Sequence, residues 1–242
     1  MHILNIKIDN FSKKEILEKV RSFLAGPKFH QIATINPEII LEAQKNQEFK
    51  NILNNCDLNV ADGFGIRLAF WRFGKNLKCR FAGADLMLEI LKIANEQKLS
   101  VFLAAKKDGL SNWEETRDAI LKNYPDLEIN GENLNFNCHA ELVSASHKIL
   151  NQVQDDKWVL FCNFGAPFQE LFINSQKNDT IRLAIGVGGS FDFITKKIRR
   201  APKFMRLIGL EWLWRLILEP RYRFKRIFNA IIIFPIKIII NK

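Results

Sequence analysis

Short apolar runs alternating with helix-periodic segments restrict this chain more than any other feature. His30–Ile35, Asp57–Val60, Val101–Ala105, Trp158–Phe164 and Ile181–Val187 are apolar stretches of strand length. Helical segments separate them. Ser12 and Glu15 make a capping-box pattern ahead of Ile16, Val20, Phe23 and Leu24. Asn36 and Pro37 suit the cap and first position of a helix through Ile39, Ile40 and Ala43. Gly83–Gln97 and Asn112–Lys122 read as helices, Ile3–Ile8 and Asp126–Ile129 as strands. The repeat predicts an α/β fold: a mainly parallel sheet with helices on both faces, spanning residues 1–195. Residues 131–150 break the rhythm. They are polar, fit no strand and read as a surface insertion, which makes His139 and His147 poor catalytic candidates.

In such sheets ligands bind beyond the carboxyl ends of the strands. The polar motifs fall there: Thr34–Asn36, Asp62–Gly65, Gly165–Gln169 and Gly186–Asp192. Asp62 stands at a strand end beside glycines that let a ligand approach, which suits a general base; an aspartate there also suits a helix cap. Thr34 and Asn36, two apart, share one side of an extended segment and fit hydrogen bonds to a sugar, though Asn36 serves equally as a cap. Arg80 precedes a helix. Its fork of donors matches pyrophosphate oxygens, and an ion pair with Asp85 is the other reading. Gln169 opens a helix after a strand and fits either a sugar contact or an ordinary turn. Gly188 and Gly189 form a glycine turn that can face a phosphate, but it follows neither the dinucleotide nor the P-loop pattern. No D-x-D pair occurs, so no metal-dependent sugar chemistry is expected.

The charge is uneven. From Lys196 onward 13 Lys+Arg face 2 Asp+Glu, a net of +11 against +10 for the whole chain, which leaves residues 1–195 at −1. Between these charges lie Leu207, Leu210, Trp212, Leu213, Trp214 and Leu216, where a nucleic-acid surface would carry polar, base-reading residues. Residues 196–242 are therefore predicted to be a basic helical appendage that docks on an anionic membrane, with no nucleic-acid partner. The apolar run at 227–240 is shorter than the roughly 20 residues a span needs. It reads as an interfacial element, with docking on the body as the alternative. Met1–Asn10 lacks a charged head leading into a long apolar run, so no signal peptide is expected. The scattered Cys56, Cys79, Cys138 and Cys162 suit reduced thiols in a cytosolic protein.

Together, T-I-N-P-E at 34–38, A-D-G-F-G at 61–65, R-F-A-G-A-D at 80–85, G-A-P-F-Q-E at 165–170, G-V-G-G-S-F-D at 186–192 and R-A-P through E-W-L-W-R and E-P-R at 200–221 resemble the WecG/TagA/CpsF family, glycosyltransferase family 26. The resemblance implies a Rossmann-like enzyme of cell-surface polysaccharide synthesis. Such an enzyme moves a sugar, of the N-acetylmannosamine type, from a UDP-sugar to a polyprenyl-diphosphate-linked sugar, with inversion and without a metal or other cofactor. It implies Asp62 as the base, and Thr34, Asn36, Arg80 and Gln169 as substrate contacts beside Gly188 and Gly189. It makes Arg199, Arg200, Arg215, Arg221 and Arg223 ligands of the lipid diphosphate and the membrane. It places the protein in the cytoplasm, peripherally attached to the inner face of the membrane, and is compatible with a homo-oligomer. The competing class is a nonenzymatic basic protein that binds membrane or nucleic acid.

Overall fold

The computed structural model describes residues 1–135, 157–178 and 180–240. Most of the predicted insertion, with Cys138, His139 and His147, lies outside them.

The chain opens with a small antiparallel hairpin, β1 (His2–Ile3) and β2 (Ile6–Lys7), and α1 (Lys13–Ala25). There follow β3 (His30–Ile35), α2 (Pro37–Ala43), α3 (Gln47–Asn54), β4 (Leu58–Ala61), α4 (Phe64–Arg72), α5 (Gly83–Glu96), β5 (Ser100–Lys106), α6 (Trp113–Leu121) and β6 (Ile129–Leu134). Next come β7 (Trp158–Cys162), α7 (Phe168–Ser175), β8 (Ile181–Gly186) and the short α8 (Ser190–Ile194). Strands β3 to β8 form one parallel sheet in the order β4-β3-β8-β7-β5-β6. This is the expected Rossmann-like α/β architecture. Both faces are covered, because side chains alternate sides along each strand. On β5, Val101, Leu103 and Ala105 join the cluster under α1, α5 and α6, whereas Phe102 and Ala104 pack under α7. Double burial also explains why β7 is apolar throughout.

Two strand expectations need correction. Ile3–Ile8 is not one strand: Leu4 and Asn5 take φ of 48° and 61° and turn the chain, pairing Ile3 with Ile6. Ile3, Ile6 and Ile8 are all buried, but the step of three from Ile3 to Ile6 spans the turn and breaks the alternation, and a hairpin delivers them. The strand placed at Asp126–Ile129 begins at Ile129 and runs to Leu134, so residues 131–134 of the presumed insertion belong to the sheet. As an edge strand it needs only one neighbour, which tolerates polar residues. Gly131 is required where Trp113 packs: a Cβ would lie 2.8 Å from its ring.

Four further helices complete the described chain: α9 (Lys203–Ile208), α10 (Glu211–Leu218), α11 (Pro220–Phe228) and, after a π-helical turn at Asn229–Ile233, α12 (Phe234–Ile240). No helix among the described residues is long and apolar enough to cross a membrane. The end of the chain is docked. Phe234 and Ile238 enter the cluster formed by Ile39, Ile66 and Phe70, and Arg226 Nε donates to Glu38 at 2.7 Å. The opposite side of α12, with Ile236, Ile239 and Ile240, stays exposed.

Candidate active site

The carboxyl ends of β4, β3, β8 and β7 bring the predicted motifs together. Asp62 follows β4 directly, and its N–H donates to the Ile35 carbonyl at 2.7 Å, which sets it beside Asn36. It does not cap α4. The cap position is Gly63, at φ 82°, and no side chain caps that helix. Freed from that duty, the carboxylate faces the positive side chains of the segment above it. Burial pushes its carboxyl above the usual aspartate range; Glu211 adds to this, while Arg215, Arg80 and the Gly63 N–H act in the opposite sense. Part of Asp62 still reaches the surface, which leaves the group accessible to a substrate.

Asn36 does make the expected cap: its Oδ1 accepts from Ile39 N at 3.0 Å. Thr34 is buried two residues before it, with its Oγ1 only 3.4 Å from where a Cβ on Gly83 would stand. The start of α5 thus packs directly against Thr34. Arg80 is held across the end of β4 by the Phe81 N–H on the Ala61 carbonyl, 2.9 Å. It does not pair with Asp85. Its guanidinium donates to the backbone carbonyl of Arg206 in α9.

Gln169 is buried, and its Oε1 accepts from both Gly165 N (3.1 Å) and Gly188 N (3.2 Å). Its Nε2 donates to Glu170 Oε1 at 2.7 Å. One carboxamide therefore ties the loop after β7 to the loop after β8. Gly186 permits this, since a Cβ there would fall 2.4 Å from the Gln169 amide. Gly189 caps the short α8. Glu170, fully buried, was not singled out from sequence. Burial raises its carboxyl to about 7, opposed by the Gln169 hydrogen bond.

The segment after Lys196 folds over these groups. Arg200 grips Asp85 with two parallel hydrogen bonds of 2.7 Å, and Arg206 lies 3.6 Å from the same carboxylate. Glu211 lies 3.2 Å from Arg215 and 3.8 Å from Arg200. The Phe193 ring packs under both guanidinium groups, with centroid distances of 4.7 Å to Arg215 and 5.9 Å to Arg200. Gly209, at φ 85°, turns α9 into α10 where a Cβ would strike the Phe64 ring at 2.7 Å. Of the five arginines expected to meet a diphosphate, Arg200 and Arg215 thus border Asp62. Arg223 pairs with Glu219 at 2.6 Å. Arg199 and Arg221 are exposed, and the Arg199 carbonyl accepts from Trp214 Nε1 at 3.0 Å. Asp85, Arg206 and Glu211 complete the cluster. They lay inside the motifs, but only the fold shows that they interlock. A groove of about 520 Å³ beside α5 shares Arg80 and Asp85 with this cluster, but its lining does not include Asp62. Among the described residues no group of three or more His, Cys, Asp or Glu is arranged to hold a metal ion.

A partly exposed carboxylate with arginines acting on it at the carboxyl end of a parallel sheet has the make-up of a group-transfer site, and the comparisons show that the protein is a glycosyltransferase. The chain belongs to the glycosyl transferase WecG/TagA/CpsF family, whose model matches residues 1–242. A relative from Bacillus subtilis (strain 168), an N-acetylglucosaminyldiphosphoundecaprenol N-acetyl-beta-D-mannosaminyltransferase, is 33% identical over 200 residues, 82% of this chain and 75% of the relative. A Staphylococcus aureus (strain MRSA252) protein of the same name is 30% identical over 220 residues, covering 90% and 84%.

Proposed function

We propose that this enzyme transfers N-acetylmannosamine from a UDP-linked donor to a polyprenyl-diphosphate-linked N-acetylglucosamine, with inversion and without a metal. The observation that carries the reading is Asp62 at the end of β4, released from capping and bordered by Arg80 and Arg215. Asp62 takes the proton of the acceptor hydroxyl. That oxygen forms its bond to the anomeric carbon as the bond from that carbon to the UDP oxygen breaks on the opposite face. Inversion of an α-linked donor gives the β linkage found in the relatives' names. The charge that develops on the departing diphosphate needs fixed donors. Arg80, Arg200 and Arg215 supply them once the incoming anion competes with Asp85 and Glu211. Thr34 and the Asn36 Nδ2 are left to contact the sugar. Gln169 acts by holding the Gly165 and Gly188 loops, so its part is to shape the pocket. Residues from 196 onward serve as a lid that attaches the enzyme to the inner face of the membrane.

The test is mass spectrometry of products from a panel of UDP-sugars and a short-chain diphosphate-linked N-acetylglucosamine acceptor. A product heavier by one N-acetylhexosamine is expected with UDP-N-acetylmannosamine. Transfer from another donor only would overturn the sugar assignment, and no transfer from any would overturn the reaction.

A further inference from the structure

The reading above assigns the membrane contact to residues from 196 onward. Many of those charges are already engaged inside the molecule: Arg200 and Arg206 with Asp85, Arg215 with Glu211, Arg223 with Glu219 and Arg226 with Glu38. Exposed positive charge also lies outside that segment. From Gly63 to Ala84 the chain carries Arg67, Arg72, Lys75, Lys78 and Arg80 and no acidic residue. Arg67, Arg72 and Lys75 are exposed, and none of the three has an ion-pair partner among the described residues.

These cations flank an apolar stripe. Ile66, Ala69 and Phe70 turn α4 inward, yet Phe64, Leu68 and Trp71, at helical spacing, point outward. Leu68 is 43% exposed and Trp71 75%. A helix of a soluble body ordinarily presents charge on that side. Packed beside α4 is α12, whose inner residues Phe234 and Ile238 share a cluster with Ile66 and Phe70 and whose Ile236, Ile239 and Ile240 face out. Exposed Trp and Leu rimmed by arginine and lysine match the chemistry of a bilayer interface, where the apolar groups enter and the cations meet headgroup phosphates.

We propose that the outer face of α4, continued by α12, is a lipid-contact surface for a bilayer with anionic headgroups. The catalytic body itself then touches the membrane, through the helix that begins directly after Asp62 and Gly63. This inference does not depend on the identity of the donor sugar.

Three full-length proteins test it: wild type, Leu68→Gln/Trp71→Gln and Arg67→Gln/Arg72→Gln/Lys75→Gln. Each is sedimented with phosphatidylcholine vesicles with and without phosphatidylglycerol, run in velocity sedimentation without lipid, and assayed on a water-soluble acceptor. The charge variant should lose the gain that phosphatidylglycerol confers, roughly fivefold in partition per cation. The apolar variant should bind both vesicle types at least about tenfold more weakly. Both should keep wild-type turnover on the soluble acceptor. Wild-type vesicle binding by both variants overturns the proposal. So does a wild-type dimer that the apolar variant converts to monomer while vesicle binding is unchanged, since the face would then seat a second copy. Should the apolar variant fail to fold, the charge variant, altered only at exposed side chains, decides the matter. Loss of sugar transfer by wild type with vesicle binding intact would count against the transfer reaction and leave this surface standing.

Discussion

At the scale of single residues, two carboxyls have surroundings that favour the protonated form. In the proposed reaction Asp62 must be ionised to accept a proton, and its surroundings raise its affinity for one. Turnover should therefore climb with pH along an acid limb set above the ordinary aspartate range. Asp62→Asn should lower turnover by ~10²–10⁴-fold, the scale of a general base, with UDP affinity little changed. Near-wild-type turnover would remove Asp62 from the role. Glu170 bears on stability instead. Its carboxyl sits at about 7 in the folded chain, well above the roughly 4.3 of an unfolded glutamate. Between those values the folded state holds the extra proton, so stability falls as pH rises through that window and levels off above it. The loss is on the order of 4 kcal/mol at ~1.4 kcal/mol per pH unit. Glu170→Gln should flatten the pH dependence of thermal unfolding between roughly pH 4.3 and about 7. An unchanged slope would show that Glu170 does not titrate there. Sequence spacing placed Gln169 at the start of the helix after β7, but it could not show that its oxygen already holds two loop N–H groups, because that depends on how β7 and β8 align.

At the scale of elements, one fastening of the segment after Lys196 is Arg200 on Asp85. Both partners are partly exposed, so the pair contributes about 1 kcal/mol. Asp85→Asn should raise amide exchange across α9 and α10 while the sheet stays protected. Uniform exchange throughout would mean that the lid is not a separate unit. The sheet was legible because β3, β5, β7 and β8 are apolar runs buried on both faces. The helix α4 was not, and the reason is physical. Its start carries two glycines, and its apolar residues face both α12 and solvent, so no polar stripe marks it as a helix. The hairpin β1–β2 reads as one strand because neither residue of its turn, Leu4 and Asn5, is the Gly or Pro that most strongly marks a break. The start of β6 was displaced because an edge strand tolerates the polar residues that elsewhere signal a loop.

For the whole molecule, transfer should survive EDTA, since arginines rather than a metal are assigned to the leaving diphosphate. A full loss restored by Mg²⁺ would overturn that assignment. High salt should weaken attachment to anionic vesicles by screening; salt-insensitive binding would argue for apolar contact alone. Truncation before Lys196 is a poor probe of attachment, because it strips Phe234 and Ile238 from the cluster around Phe70. The nine residues of α4 extend roughly 13 Å at 1.5 Å per residue. Laid on headgroups as proposed, the helix runs along the bilayer, so its radius of roughly 5–6 Å with side chains, and not its length, would work as a gauge for the altitude of Asp62, with Gly63 as the pivot. A hydroxyl carried one diphosphate above the lipid plane comes level with the carboxylate, and one mounted on a taller or shorter stem passes it by. Selection among acceptors would then be made by height, before any sugar hydroxyl is recognised.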